Sequence, residues 1–245
     1  MVTGAGGGLG TEFADVLAEA GASVVCADVD RATAKRTAEL LRGRGAVAVD
    51  LELDVTDERV VDEAVARVVR DLGGLDVLVN NAGIGDPRSV PLHRVRTRDW
   101  RRVLDVDLDG VFLCCRAALR VMVHRGAGKI VNVASMFGLA GARVAAIPGY
   151  APAKGAVVNL TRELGLQYAG AGIQVNALCP GFVRTGLSSG VYEDPEFRER
   201  LAATVPMGRV AEPRELRGAL LMLASAASDY MTGQMLVIDG GCTAG

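Results

Sequence analysis

The chain has 245 residues, of which 50% are hydrophobic and 23% are charged. This length and composition fit one folded α/β domain over residues 1–245 and argue against intrinsic disorder. The formal net charge of −2 provides no basic surplus for nucleic acid or an anionic membrane surface. We therefore expect neither nucleic acid nor a membrane as a partner.

Cysteine, histidine and apolar residues exclude further classes of protein. No apolar run approaches the roughly 18 residues of a membrane helix, and no signal-like leader precedes the first motif. Five scattered cysteines without a CxxC pair argue against a disulfide scaffold. The two histidines, His93 and His124, are too far apart in sequence to suggest a metal site. We expect a cytoplasmic protein that binds no metal and has small, buried cysteines.

Apolar, β-branched runs alternate with helical patterns along the whole chain. The predicted strands are 23–27, 46–51, 76–80, 129–135, 173–178 and 235–239. The predicted helices are 8–20, 31–42, 57–72, 98–125, 150–170 and 213–226. This alternation predicts a Rossmann-type α/β fold, in which a doubly wound parallel sheet has helices on both faces. Only residues 1–3 precede a glycine-rich loop, so the first strand is either truncated or a short strand that the sheet tolerates.

The glycine-rich loop, TGAGGGLG, opens the first predicted helix. Its glycines let the backbone approach a pyrophosphate closely, and the helix amino terminus supplies free N–H groups and a positive dipole end. These features predict a dinucleotide site that includes Gly4, Gly8, Leu9 and Gly10. A flexible turn without a ligand is the alternative interpretation.

Asp28 ends the strand that follows the glycine loop. It lies near the spacing of about 20 residues that is typical of a carboxylate bound to the adenosine ribose. A carboxylate accepts hydrogen bonds from both ribose hydroxyls and repels a 2′-phosphate, and the glycine loop has no arginine or lysine to compensate. The sequence therefore predicts NAD rather than NADP as the cofactor. Arg31, a nearby cation, is the main argument against the preference for NAD. The alternative role of Asp28 is that of a solvated acid at the end of the strand.

These motifs, with a DV pair after the third strand and NNAG after the fourth, resemble the short-chain dehydrogenase/reductase (SDR) family. The similarity continues through the whole chain to the segment YMTGQMLVIDGG. It implies that Asp54 and Val55 flank the adenine. It also implies that Asn80, Ala82 and Gly83 line the cofactor and steady the central sheet.

A tyrosine and a lysine, Tyr150 and Lys154, stand four residues apart at the start of a predicted helix. This spacing makes the phenol and the ammonium neighbours on one face. A phenol with a pKa of about 10 is almost fully protonated at pH 7, and a cation about 4 Å away favours the phenolate by about 4 kcal/mol. Lys154 and an oxidised nicotinamide ring are together sufficient to activate it. An incidental YxxxK is the alternative.

The SDR resemblance assigns roles to these residues. Tyr150 exchanges a proton with the substrate oxygen, and Ser135, at the end of the preceding strand, orients that oxygen. Lys154 also binds the nicotinamide ribose, so that Tyr150 and Lys154 belong to the cofactor site as well. The cofactor supplies the redox chemistry, and the protein supplies acid–base catalysis and positioning.

Two positions depart from the family pattern. The family usually has asparagine where this chain has Asp107, and a carboxylate whose side chain matters would change the pKa of Tyr150. We include Asp107 as a fourth catalytic residue, with a plain helix acid as the alternative. Pro152 is tolerated only in the first turn of a helix, so the helix of Tyr150 must begin near Gly149.

The sequence PGFVRT follows the sixth strand and resembles the nicotinamide-binding turn of the family. The resemblance implies that Pro180, Gly181, Val183 and Thr185 contact the cofactor, the last two at the carboxamide. The segment 182–210 is rich in glycine, serine and proline, with a short helix at 195–203. It predicts a substrate lid, with a passive surface loop as the alternative.

The sequence thus predicts an NAD-dependent oxidoreductase that interconverts a small-molecule secondary alcohol and its ketone. Polyols or sugars are slightly favoured, and a 3-oxoacyl thioester reductase or a non-catalytic dinucleotide sensor are the alternatives. A sugar-nucleotide epimerase is disfavoured because no sizeable carboxy-terminal substrate domain follows. Segment 138–149 is expected to line a mostly apolar pocket, with Arg143 available to a polar group. The resemblance also implies a homotetramer, a dimer of dimers, paired through helices 98–125 and 150–170.

Overall fold

Seven parallel strands form a single sheet in the structure, a computed structural model that describes residues 1–142, 144–185 and 195–244. The strands are β1 (Val2–Thr3), β2 (Val24–Asp28), β3 (Ala48–Glu52), β4 (Val77–Asn80), β5 (Gly128–Val133), β6 (Ile173–Pro180) and β7 (Met235–Ile238). Their order across the sheet is β3-β2-β1-β4-β5-β6-β7. The predicted doubly wound, Rossmann-type topology is therefore confirmed.

Eight α-helices accompany these strands within the described ranges. They are α1 (Gly8–Glu19), α2 (Arg31–Gly43), α3 (Glu58–Leu72), α4 (Thr97–Leu104), α5 (Gly110–Arg125), α6 (Tyr150–Tyr168), α7 (Pro195–Thr204) and α8 (Arg217–Ala224). The predicted stretch 98–125 is helical throughout, but the π-helical turn Asp105–Asp109 divides it into α4 and α5. Single π turns inside helices are frequent at functional sites, since they change the direction of a side chain.

Two apolar cores cover the two faces of the sheet. Val61 of α3 and Val157 of α6 belong to the core on one face. Phe13 of α1 and Leu220 of α8 belong to the core on the other. Because both faces are covered, the strands read as continuous apolar runs in the sequence rather than as alternating ones.

The first strand is only two residues long and yet lies at the centre of the sheet. Val2 pairs with β2 on one side and with β4 on the other. Thr3 is buried, and its Oγ1 accepts hydrogen bonds from the backbone N–H groups of Asn81 and Ala82, both at 3.0 Å. These bonds join β1 to the loop after β4, at the point where the connections diverge to opposite faces.

The structure also bears on the sequence predictions about membrane helices, metal sites and cysteines. Within the described ranges, no helix is both long and apolar enough to cross a membrane. The same residues contain no group of three His, Cys, Asp or Glu side chains that could hold a metal ion. All five cysteines are free, and all but Cys242 are buried. Arg143 and the middle of the predicted lid, residues 186–194, lie outside the described residues.

Candidate active site

A cleft of about 680 Å³ opens at the carboxyl edge of the sheet, beside β1 and β4. Its walls come from the loops after β1, β2, β4, β5 and β6 and from the first turn of α6. This is where ligands bind in open α/β sheets. Ser135, Tyr150 and Lys154, the three predicted reactive side chains, all line this cleft.

The glycine loop forms one end of the cleft. Gly4, Gly8 and Leu9 line it, whereas Gly10 lies behind them. A Cβ at Gly10 would clash with the carbonyl oxygen of Gly4, so glycine is required where α1 packs against the loop. No side chain among those described caps α1 at Gly7. The first turn therefore keeps N–H groups that can bind a phosphate.

Asp28 lies in the cleft wall at the end of β2. Its Oδ2 accepts a hydrogen bond from the Gly6 N–H at 2.9 Å, and its Oδ1 accepts one from the Asp30 N–H at 3.0 Å. These bonds hold the carboxylate beside the glycine loop. Arg31, the residue that argued for caution, lies beside Asp50 instead, with its Nε 3.5 Å from the Asp50 Oδ2.

The structure does not bring Asp54 and Val55 into the cleft wall. Asp54 is exposed, and its Oδ1 accepts hydrogen bonds from the Thr56 N–H at 2.9 Å and the Thr56 hydroxyl at 2.7 Å. Val55 is buried, and a Cβ at Gly110 would come within 2.6 Å of its Cγ2. Contact between these two residues and the adenine stays a prediction.

The two asparagines of the NNAG motif have different places. Asn80 is buried beneath the cleft, where its amide nitrogen donates to the Asn132 Oδ1 at 2.9 Å and to the Cys115 Sγ at 3.1 Å. It steadies the sheet and does not line the cleft. Asn81, which the sequence analysis missed, does line it, and its amide nitrogen donates to the Gly4 carbonyl oxygen at 3.1 Å. Asn81 thereby ties the loop after β4 to the glycine loop.

The predicted reactive side chains meet where β5 ends and α6 begins. Ser135 follows β5, and its Oγ accepts a hydrogen bond from the Phe137 N–H at 3.2 Å. Lys154 is only 3% exposed, and its Nζ donates to the Val133 carbonyl oxygen at 3.1 Å. The same Nζ lies 5.5 Å from the centre of the Tyr150 ring. The phenol and the ammonium are neighbours on one helix face, as their spacing predicts.

Asp107 lies in the π turn between α4 and α5 and is completely buried. Its Oδ2 is 3.2 Å from the Lys154 Nζ, and its Oδ1 accepts a hydrogen bond from the Ile84 N–H at 2.8 Å. Gly83 covers this ion pair, because a Cβ there would lie 3.0 Å from the Oδ2 and 3.4 Å from the Nζ. The Asp107 side chain therefore contacts the reactive lysine, and Asp107 is more than a plain helix acid.

Burial and mutual electrostatic interactions set the pKa values of Tyr150, Asp107 and Lys154. Burial raises the pKa of Tyr150, the Lys154 cation lowers it, and the Asp107 carboxylate raises it again, so that it lies above its ordinary value. Burial also raises the pKa of Asp107. Burial disfavours the Lys154 ammonium, but Asp107 and Tyr150 outweigh this effect and raise the pKa of Lys154. Lys154 alone therefore does not bring the phenol below its usual pKa.

Asp86, a second residue that the sequence analysis missed, holds the start of α6. Its carboxylate accepts hydrogen bonds from the Gly149 N–H at 3.0 Å and the Tyr150 N–H at 2.9 Å. Helix α6 begins at Tyr150, which places Pro152 in the first turn, as predicted. Gly149 leaves room for the carboxylate, since a Cβ there would lie 2.8 Å from the Asp86 Oδ1.

The rest of the cleft wall is mostly apolar. The apolar side chains beyond the glycine loop include Phe137, Val144, Ala145, Ile147, Phe182 and Leu201. The predicted turn residues Pro180, Gly181, Val183 and Thr185 line the cleft as well, as do Ala82 and Gly83. Leu201 belongs to α7, so the carboxyl part of the predicted lid segment reaches the cleft.

Comparisons with known proteins cover almost the whole chain. A family model described as Enoyl-(Acyl carrier protein) reductase matches residues 4–243. The chain is 45% identical to cis-4-hydroxycyclohexanecarboxylate dehydrogenase from Sinomonas cyclohexanicum, over 100% of this chain and 96% of that protein. It is 42% identical to galactitol 2-dehydrogenase (L-tagatose-forming) from Cereibacter sphaeroides, over 99% and 93%. It matches the crystal structure of a gluconate 5-dehydrogenase from Burkholderia cenocepacia J2315 in complex with NADP and tartrate with a TM-score of 0.93 and 39% identity, covering 99% and 94%.

Proposed function

The chain belongs to the short-chain dehydrogenase/reductase family, and from that premise we propose an NAD-dependent dehydrogenase that interconverts a secondary alcohol and its ketone. The observation that carries this proposal is the meeting of Ser135, Tyr150 and Lys154 in one cleft with the glycine loop. Acid–base groups and a dinucleotide cradle in one cleft are what hydride transfer at a carbinol carbon requires.

Tyr150 is the group that moves a proton to or from the substrate oxygen. Burial raises the pKa of Tyr150, so the phenol is the form that donates a proton when a ketone is reduced. In the oxidative direction the same oxygen must accept a proton, and Lys154 stabilises the phenolate that results. Ser135 holds the substrate oxygen within reach of the phenol.

The residues around the glycine loop fit a dinucleotide. Gly4, Gly8 and the first turn of α1 would hold the pyrophosphate, and Asp28 the adenosine ribose. When bound, this cofactor supplies the hydride chemistry. Lys154 would also hold the second ribose, because its Nζ lies in the cleft wall beside Tyr150.

The Asp28 carboxylate, fixed by two backbone N–H groups, supports the preference for NAD over NADP. A 2′-phosphate beside a carboxylate suffers like-charge repulsion of several kcal/mol. We expect kcat/KM to be about 100-fold higher with NAD than with NADP, and Asp28→Ser to reduce this ratio to about 10 or less. Asp71→Ser, on α3 and outside the cleft wall, is the control that leaves the ratio unchanged. A wild-type enzyme that prefers NADP contradicts the assignment.

A substrate panel tests the reaction itself. Polyols, sugars, simple secondary alcohols and 3-hydroxyacyl thioesters are offered with NAD, and the absorbance of NADH is followed. We expect turnover of at least one class and a loss of about 1000-fold in Tyr150→Phe, which lacks the phenolic proton donor. Binding of NAD without turnover of any class would instead support the dinucleotide sensor.

The oligomeric state and the location of the protein are further proposals. Phe112 and Val123 of α5 and Leu166 of α6 are exposed apolar side chains. They support pairing of subunits through these two helices, as in the predicted homotetramer. A cytoplasmic location stays a prediction.

A further inference from the structure

We infer that the substrate has an apolar body, such as a cycloaliphatic or aromatic ring, next to its carbinol carbon. This inference rests on the proposed function and narrows its substrate class. The sequence slightly favours polyols and sugars. The residues that line the cleft, which the sequence alone does not show, favour an apolar substrate instead.

An aromatic pair forms part of the substrate wall. The rings of Phe137 and Phe182 meet edge to face, with their centres 5.7 Å apart and their planes at 72°. This geometry is typical of a favourable aromatic contact, and a ring inserted beside the pair gains the same kind of contact. Val144, Ile147 and Leu201 extend the apolar wall.

The backbone of both phenylalanines is hydrogen-bonded to neighbouring parts of the site. The Phe137 N–H donates to the Ser135 Oγ, which fixes the Phe137 backbone beside the hydroxyl that orients the substrate oxygen. The Phe182 carbonyl oxygen accepts a hydrogen bond from the Ala211 N–H at 2.9 Å, and the preceding Gly181 N–H donates to the Ile238 carbonyl oxygen at 2.8 Å. The wall is therefore preformed, as apolar ligand pockets usually are.

Polar partners for additional hydroxyl groups are few among the described lining residues. Asp28 and Asn81 are hydrogen-bonded at the glycine loop, and Ser135, Tyr150 and Lys154 serve the reacting oxygen. Thr185 is the sixth polar side chain in the described part of the wall. The described side chains therefore offer few partners for the further hydroxyls of a polyol, and polar groups that lose their partners on burial oppose binding.

Matched substrates with the same carbon skeleton test the inference. Cyclohexanol is compared with myo-inositol, and 2-hexanol with galactitol, each with NAD. An apolar pocket discriminates against even one added hydroxyl by up to about 100-fold, so we expect kcat/KM for cyclohexanol to exceed that for myo-inositol by at least about 100-fold. The 2-hexanol and galactitol pair should show the same direction.

Two variants locate the source of this preference. Phe137→Leu and Phe182→Leu should each lower kcat/KM for cyclohexanol about 3- to 10-fold, chiefly through KM, because the aromatic contact is lost. Tyr230→Leu, at an exposed position outside the cleft wall, is the control and should leave the ratio of cyclohexanol to myo-inositol unchanged. Binding of NAD, measured by titration, checks that each variant is folded.

The outcomes separate this inference from the proposed function. Turnover of myo-inositol or galactitol at a rate similar to or above that of its apolar partner overturns the inference and leaves the dehydrogenase standing. Equal effects of Phe137→Leu, Phe182→Leu and Tyr230→Leu overturn the assignment to the aromatic pair. Turnover of no alcohol on any panel contradicts the proposed function, and the inference fails with it.

Discussion

The Lys154 ammonium is shared between two acidic groups, the phenol of Tyr150 and the carboxylate of Asp107. The carboxylate is 3.2 Å from the ammonium and completely buried, so water screens this ion pair very little. Part of the positive charge that would otherwise favour the phenolate is therefore neutralised. A neutral amide at position 107 would leave this positive charge free to favour the phenolate, whereas the Asp107 carboxylate opposes it.

Replacing Asp107 by asparagine should move the pH dependence of the reaction. The Asp107 carboxylate raises the pKa of Tyr150, so its removal lowers that pKa. We expect the acidic limb of kcat/KM for alcohol oxidation to move to lower pH in Asp107→Asn, because the phenolate then forms at lower pH.

Asp109→Asn is the matched control, since Asp109 lies in the same π turn but is exposed. Its pH profile should match that of the wild type. An acidic limb in Asp107→Asn that stays in place, or moves to higher pH, contradicts the charge argument.

At the scale of elements, the position of Tyr150 depends on how α6 begins. The first turn of a helix has free N–H groups, and a carboxylate that accepts their hydrogen bonds fixes the helix start. Here the cap comes from Asp86, in the loop after β4, and not from the residue that precedes the helix. Asp86 is therefore a positioning residue, which acts through the backbone of Gly149 and Tyr150.

Asp86→Ala should lower kcat/KM by about 10-fold, because small displacements of a reacting group are costly for catalysis. It should also lower the free energy of unfolding by about 1 kcal/mol, the usual effect of losing a cap. Asp86→Asn keeps an acceptor and should recover most of the activity.

Asp57→Ala separates positioning from stability. Asp57 caps α3 through the Val60 N–H at 3.1 Å and does not line the cleft, so its loss should lower stability to a similar degree without lowering kcat/KM. If the activities of Asp57→Ala and Asp86→Ala fall equally, Asp86 has only a structural role.

Most elements of the fold could be predicted because their signals are local. The apolar runs of β2 to β7 and the glycine loop lie within short stretches of sequence, as does the YxxxK spacing. Pro152 even indicated where α6 begins. The contact of Asp107 with Lys154 and the cap from Asp86 could not be predicted, because each joins residues that are far apart in the chain. The Asp86 carboxylate and the Gly149 N–H are separated by 63 residues in sequence.

At the scale of the whole molecule, one edge of the sheet assembles the site. β1, β4, β5 and β6 end side by side there, so that the glycine loop, Ser135 and the PGFVRT turn form the walls of one cleft. Helix α6 adds Tyr150 and Lys154 from one face of the sheet. The family resemblance implied that these residues share one site, but the sequence could not show that the rest of the wall includes an aromatic pair.

We propose that this cleft moves a hydride from a carbinol carbon to the cofactor while Tyr150 accepts the hydroxyl proton. The most direct test uses the best secondary alcohol of the substrate panel, labelled with deuterium on its carbinol carbon, and mass spectrometry of the reduced cofactor. We predict one deuterium in each reduced nicotinamide and a rate about 1000-fold lower in Tyr150→Phe, which should still bind NAD. Reduced cofactor without deuterium, or an unchanged rate in Tyr150→Phe, would contradict this account.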